Sequence, residues 1–266
     1  MQRLRSDDAE ISYEIRGKGP PVVLLHPFPC DHEFWNPIAV VLDSRYRLIL
    51  PDLRGHGDSG IGEGPALMSK HASDVARVLD AAGIGKAAFI GCSIGGYILF
   101  EFWRRFRARV TSLVLCDTRP QADTPEARSN RLRAAATVLG QGTEPFLESM
   151  IPKLMGRTTL STRPDLVDGA RAMMRKISAE DISQVQQGMA ARPDSVADLK
   201  TINVPTLIAI GEEDVLSTVA DGELMRQNIA GSQLKVIPKA GHFAPWEQPE
   251  AVGKILRRFL DAVALK

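Results

Sequence analysis

Residues 87–96 read "AAFIGCSIGG". An apolar run of strand length stops at Gly91, and a helical pattern, "IGGYILFEFWRRFRA" (94–108), begins almost at once. Two adjacent side chains at this corner, Cys92 and Ser93, can act as nucleophiles. A nucleophile held on a tight strand-to-helix turn needs small residues two before and two after it, because the chain folds back closely there. Around Ser93 those neighbours are Gly91 and Gly95, and Gly96 adds room. Around Cys92 they would be Ile90 and Ile94, both bulky and β-branched. The register selects Ser93 and predicts that Cys92 points into the packing beneath the turn.

Further runs of the same kind flank this one. "PVVLLH" (21–26), "YRLIL" (46–50), "VTSLVLC" (110–116) and "PTLIAIG" (205–211) are brief, rich in Val, Ile and Leu, and mostly without polar alternation. That is the pattern of strands buried on both faces. "QLKVIP" (233–238) reads as an edge strand. Helical candidates lie between them: "SKHASDVARVLDAAG" (69–83), with Ser69 as cap and Gly83 as stop, and "EAVGKILRRFLDAV" (250–263). Strand–helix alternation predicts an α/β fold with a mostly parallel central sheet flanked by helices. Residues 120–200 break the rhythm. They are helix-prone, Arg-rich and carry Met150, Met155, Met173 and Met174, with no convincing strand. The expected organisation is a core of residues 1–119 and 201–266 with a helical cap, 120–200, inserted after the sixth strand.

Composition narrows the function classes. Hydrophobic residues make up 44% and charged residues 24% of the 266, ordinary for a globular domain. A net charge of +1 gives no electrostatic reason to expect nucleic acid or an anionic membrane as partner. The start shows no apolar stretch of signal-peptide type, and no apolar run approaches the length of a membrane span. A cytoplasmic location is the default expectation. Three cysteines without a C-x-x-C spacing indicate neither a disulfide framework nor a zinc site. "GHGDSG" (55–60) matches G-x-G-x-x-G, but a dinucleotide site needs that motif to open a helix, and "IGEGP" prolongs a loop instead.

A serine hydroxyl needs a base. Of the five histidines, His242 lies in a glycine-bearing loop, "KAGHFAPWEQPE", after the last strand. His26 ends a strand and His56 sits in a turn, where each is expected to brace a loop; His32 and His71 read as surface residues. The base in turn needs an acid to hold its tautomer. Asp214 in "GEEDVLS" follows a strand end; Glu212 and Glu213 adjoin it, and Asp117 after "LVLC" is a second position from which a carboxylate can reach the histidine. The order Ser93, Asp214, His242 is the one found in hydrolases with a strand–turn–helix nucleophile.

These landmarks together resemble the α/β-hydrolase fold superfamily: "LLHPFP", "LPDLRGHGDSG", "GCSIGG", "VPTLIAIGEEDVLS" and "KAGHFAPWEQPEAV". The chain is most similar to small bacterial esterases and 3-oxoadipate enol-lactonase-like hydrolases. The resemblance implies a catalytic Ser93–His242–Asp214 triad and an oxyanion hole from the backbone N–H groups of Phe28 and Ile94. His26-Pro27-Phe28 stands where the family usually has His-Gly-x, so proline, which lacks an N–H, takes the glycine's place. Trp35, Tyr97, Phe243 and Trp246 lie near motif positions and are expected, with Phe28, to flank the pocket. The expected reaction is hydrolysis of a small carboxylic ester or lactone through an acyl-enzyme, with no metal or other cofactor. A carbon–carbon bond hydrolase, thioesterase or perhydrolase can use the same triad, and a ligand receptor can keep the fold. Dehalogenases and epoxide hydrolases place Asp where this chain has Ser93.

Overall fold

The computed structural model describes residues 1–264. Its strands are β1 (Gln2–Ser6), β2 (Ala9–Arg16), β3 (Pro21–Leu25), β4 (Arg47–Pro51), β5 (Ala87–Cys92), β6 (Val110–Cys116), β7 (Thr206–Gly211) and β8 (Gln233–Ile237). They form one sheet in the order β1-β2-β4-β3-β5-β6-β7-β8. From β4 to β8 every neighbouring pair is parallel, while β2 runs antiparallel to both β1 and β4. Every residue of β5 and β7 is buried, as their unbroken apolar runs require. β8 pairs only with β7 and exposes much of its length, as its mixed sequence predicts.

The first two strands escaped the sequence pattern. "QRLRS" is mostly exposed, and "AEISYEIR" interrupts its buried positions with the polar Glu10, Ser12, Glu14 and Arg16, so no continuous apolar run marks them. Asp7 turns the chain between them with a φ of 49°.

The helices are α1 (Asn36–Leu42), α2 (Met68–Ala81), α3 (Ile94–Phe106), α4 (Pro125–Gln141), α5 (Glu144–Leu154), α6 (Arg157–Thr162), α7 (Pro164–Met174), α8 (Ala179–Ala190), α9 (Val219–Asn228), α10 (Ala244–Glu247) and α11 (Pro249–Ala264). Ser69 is not the cap of α2. Leu67 holds that position in an extended conformation, without a side-chain cap, and the helix starts two residues earlier than a cap at Ser69 implies, on the buried Met68. Gly83 does end it, at a φ of 68° that suits glycine.

Five helices, α4 to α8, fill the stretch between β6 and β7. They pack on one another, α4 on α8 and α5 on α7, with Leu147, Ile151, Val167 and Val185 buried between them. Met155, Met173 and Met174 are buried in this packing, and Met150 is half-buried against it.

Candidate active site

The chain between β5 and α3 turns within one residue. Ser93 has φ 55° and ψ −114°, a conformation that non-glycine residues rarely adopt. Close packing of backbone holds it there. A Cβ on Gly91 would lie 2.6 Å from the Gly95 carbonyl, and one on Gly95 would lie 2.5 Å from the Leu25 carbonyl oxygen. A Cβ on Gly96 would collide with Thr118. The Ser93 N–H donates to the Cys116 carbonyl at 3.0 Å, and the Ser93 carbonyl accepts from Thr118 Oγ1 at 2.8 Å. β6 therefore fixes the turn that the glycines permit.

Cys92 is fully buried, with Sγ 3.8 Å from the His242 carbonyl oxygen. Burial, reinforced by the nearby Asp117 carboxyl, pushes its thiol well above the usual range, so it stays protonated. Ser93 keeps a small accessible surface, 9%.

Ser93 Oγ lies 2.7 Å from His242 Nε2, and His242 Nδ1 lies 2.8 Å from Asp214 Oδ2. A carboxylate only accepts, so Nδ1 carries the proton and Nε2 is left to accept from the serine. The other Asp214 oxygen, Oδ1, accepts from the N–H groups of Leu216 and Ser217 at 2.7 and 3.0 Å. That fixes the carboxylate's orientation. The neighbouring acids face elsewhere: Glu213 accepts from Thr158, and Glu212 from the Lys239 N–H. Asp117 accepts from the Gly211 N–H at 2.7 Å. Its burial, with the charge of Asp214 close by, raises its carboxyl well above the carboxylate range. Neither the Phe28 nor the Ile94 N–H takes part in a turn, loop or side-chain hydrogen bond.

His26 and His56 brace loops. His26 Nε2 accepts from the Leu53 N–H at 2.9 Å, and His56 Nδ1 donates to the Arg54 carbonyl at 3.0 Å. Burial lowers His26 to about 4 and His56 to about 3, so both are neutral near pH 7. Two expectations need correction. His71 is not on the surface: it is buried on α2 with the Ala66 carbonyl beside its ring, and burial lowers it well below the ordinary histidine range. It sits four residues before the buried Val75, on the apolar face of the helix, a spacing visible in the sequence. His32 is mostly buried, with Nδ1 2.7 Å from Asp52 Oδ1. Burial works against its cation, but the hydrogen bond and charge of Asp52 prevail and raise it.

The pocket expectations also divide. Trp35 and Phe243 have no accessible surface and so border no space that a water molecule can enter. Phe34 joins them into an aromatic core, edge-on to both rings at 5.1 and 5.2 Å. Trp246 is half-buried, and its Nε1 donates to the Leu166 carbonyl at 3.0 Å. Tyr97 lies under the Arg192 guanidinium, 4.3 Å from its ring centre. Phe28 meets Phe146 of α5 at 6.1 Å between ring centres. Asp31, His32 and Asp52 have metal-ligand spacing. Their acceptors are already taken by Lys176 and by the N–H groups of His32, Glu33 and Asp58, so the cluster braces a loop.

Residues 20–249 match the model of the alpha/beta hydrolase fold. The chain belongs to that family. It is similar to a thermophilic esterase from Thermogutta terrifontis, solved with malate bound: 38% identical, TM-score 0.96, covering 99% of each chain. It is also similar to the enol-lactonase from Burkholderia xenovorans LB400, at 25% identity and TM-score 0.91, over 98% of this chain and 100% of that one. Among curated proteins, 3-oxoadipate enol-lactonase 1 of Acinetobacter baylyi is 29% identical, over 95% of this chain and 94% of its own length. The family resemblance read from the motifs is therefore borne out. Among the described residues no helix is long and apolar enough to cross a membrane.

Proposed function

We propose that this hydrolase cleaves small carboxylic esters or lactones through an acyl-enzyme on Ser93. The observation that carries this reading is the unbroken line from Ser93 Oγ through the His242 ring to Asp214, with spacings of 2.7 and 2.8 Å. His242 Nε2 takes the serine proton as Oγ attacks the carbonyl carbon, while Asp214 stabilises the imidazolium that forms. The N–H groups of Phe28 and Ile94 receive the oxyanion. His242 then protonates the leaving alkoxide, which departs as the alcohol, or stays tethered when the substrate is a lactone. Next the imidazole deprotonates a water, which attacks the acyl-serine and releases the acid and Ser93. The chain needs no cofactor for these steps.

Relatives named esterase and enol-lactonase support the ester-type bond. In this reading residues 120–200 form the cap. The contact of Phe146 with Phe28 supports that role, because it sets an inserted helix against the proposed oxyanion loop. The test is a panel of p-nitrophenyl esters of increasing chain length, with lactones alongside, and labelling by an organophosphonate. Turnover with the label on Ser93 supports the reading; an unlabelled Ser93 and no turnover of any ester or lactone defeat it.

A further inference from the structure

Two carboxylates beside the triad take no part in the proton relay. Glu247 is buried, and each of its oxygens accepts one backbone N–H. Oε1 takes that of Gly241, next to His242, and Oε2 takes that of Gly156, at the start of α6; both distances are 2.8 Å. The side chain of Glu213, next to Asp214, is 8% exposed. It accepts from the Thr158 N–H at 2.8 Å and from the Thr158 hydroxyl at 2.6 Å. The backbone completes the junction. Phe243 N–H donates to the Leu154 carbonyl at 3.0 Å, and Glu213 N–H to the Ala240 carbonyl at 2.8 Å. Gly156 and Gly241 approach so closely that a Cβ on either would collide with the other's backbone. Three separate segments therefore meet here: the loop bearing Asp214, the loop bearing His242, and residues 154–158 of the inserted helices.

We propose that Glu247 and Glu213 are positioning residues that bolt the His242 and Asp214 loops to residues 156–158, so that the inserted helices set the geometry of the base and acid. This rests on the hydrolase reading above. Each loop joins a strand end, β7 or β8, to a helix, α9 or α10, and the two loops are otherwise linked to each other by the Glu213 N–H and the Ala240 carbonyl. A shift of about 1 Å at a reacting group can cost about 100-fold in rate.

The two carboxylates differ in a way that makes the idea testable. Glu247 meets two N–H donors, with the Thr159 hydroxyl also beside its carboxylate. An amide offers one acceptor oxygen, so Glu247→Gln must set its NH2 against an N–H and break one arm. Glu213 meets one N–H and one hydroxyl, which can accept as well as donate, and at 3.3 Å the guanidinium of the exposed Arg157. Glu213→Gln can keep both bonds to Thr158 and gives up only the surface pair with Arg157; Glu213→Ala can keep none.

The experiment compares Glu247→Gln, Glu213→Gln and Glu213→Ala with the wild type. Its readouts are kcat, KM, the pH profile of kcat/KM, and the downfield proton resonance of His242 Nδ1–H, which needs no substrate. Glu247→Gln and Glu213→Ala should lower kcat by about 10- to 100-fold with KM within about twofold, as expected for lost alignment. Both should also displace the pH profile and the resonance, while Glu213→Gln stays near wild type. A purely structural role would lower the melting temperature and move neither profile nor resonance. A folded Glu247→Gln with wild-type kcat, pH profile and resonance overturns the proposal. Should Glu247→Gln fail to fold, identical behaviour of Glu213→Ala and Glu213→Gln overturns it instead. If the wild type turns over no ester or lactone, the hydrolase reading falls alone, and the resonance still decides whether the clamp orders His242.

Discussion

The turn around Ser93 and the loops around Asp214 and His242 are held in different ways. The turn is locked by the core: Gly91 and Gly95 let backbone meet backbone, and Cys116 at the end of β6 and Thr118 just beyond it are its partners. The other two loops are tied to the inserted helices by Glu213 and Glu247. On the proposed mechanism the nucleophile thus stands on backbone packed against the central sheet, while the proposed base and acid are referred to helices outside that sheet.

The largest effect expected on this comparison is at the nucleophile. Ser93→Ala should reduce kcat by about 10⁶-fold, the scale seen when a serine nucleophile is removed elsewhere, and leave the fold intact. Cys92→Ala should stay within about tenfold of wild type, since a buried neutral thiol supplies no thiolate. Organophosphonate labelling at Cys92, or a full rate in Ser93→Ala, would reverse the assignment.

Next comes the acid. Asp214→Asn should lower kcat by about 10⁴-fold, because an amide favours the wrong histidine tautomer and cannot stabilise the cation. Asp117→Asn should cost less than about tenfold in rate. Burial and the charge of Asp214 hold the Asp117 carboxyl neutral well above the usual range, so an amide is a close mimic, and its oxygen can still accept from Gly211. Steady-state kinetics on both variants give the ranking. The reversed order would place the acid after β6.

A third prediction concerns the lock itself. Gly95→Ala puts a methyl 2.5 Å from the Leu25 carbonyl oxygen, which belongs to the backbone of β3 and cannot swing aside as a side chain can. Overpacking of this kind costs about 1–3 kcal/mol, readable in a denaturant midpoint, and activity should fall as the turn shifts. Unchanged stability and rate would mean that the turn is softer than its glycines imply.

The difference in anchoring also explains what the sequence made legible. The elbow is local: the residues that must be small, the strand before them and the helix after them all lie within about twenty positions. Five buried strands, β3 to β7, announce themselves as apolar runs because both faces are covered. β1 and β2 do not, because their exposed positions carry charge. Trp35 and Phe243 lie near the motif positions proposed for the oxyanion hole and the base, yet nearness in sequence does not show that their rings close on Phe34 and not on a cavity. The tie from Glu247 to Gly156 spans 91 positions, and no periodicity marks such a pair. His71 is the opposite case, since its place on the apolar face of α2 was readable but outweighed by the habit of putting histidine outside.

That residue gives the smallest effect and a sharp sign. Burial lowers His71 well below the ordinary histidine range, against the smaller opposing effect of the Ala66 carbonyl beside its ring. At pH 7.5 both folded and unfolded chains hold the ring neutral, so His71→Leu should change stability by about 1 kcal/mol or less. Below about pH 6.5 the unfolded chain gains a proton at His71 that the folded chain refuses, and the wild type loses stability as pH falls. His26 and His56 contribute in the same direction down to about 4 and about 3. Asp117 and Glu247, both raised by burial, act in the opposite direction. Those groups are common to both proteins, so the difference between variant and wild type isolates His71. The advantage of His71→Leu should grow by up to about tenfold in the folding equilibrium for each pH unit between about 6.5 and 5. Thermal and urea melts at pH 7.5, 6 and 5 measure it. Parallel curves would show that His71 takes up a proton in the folded protein, and that α2 opens there far more readily than the turn at Ser93.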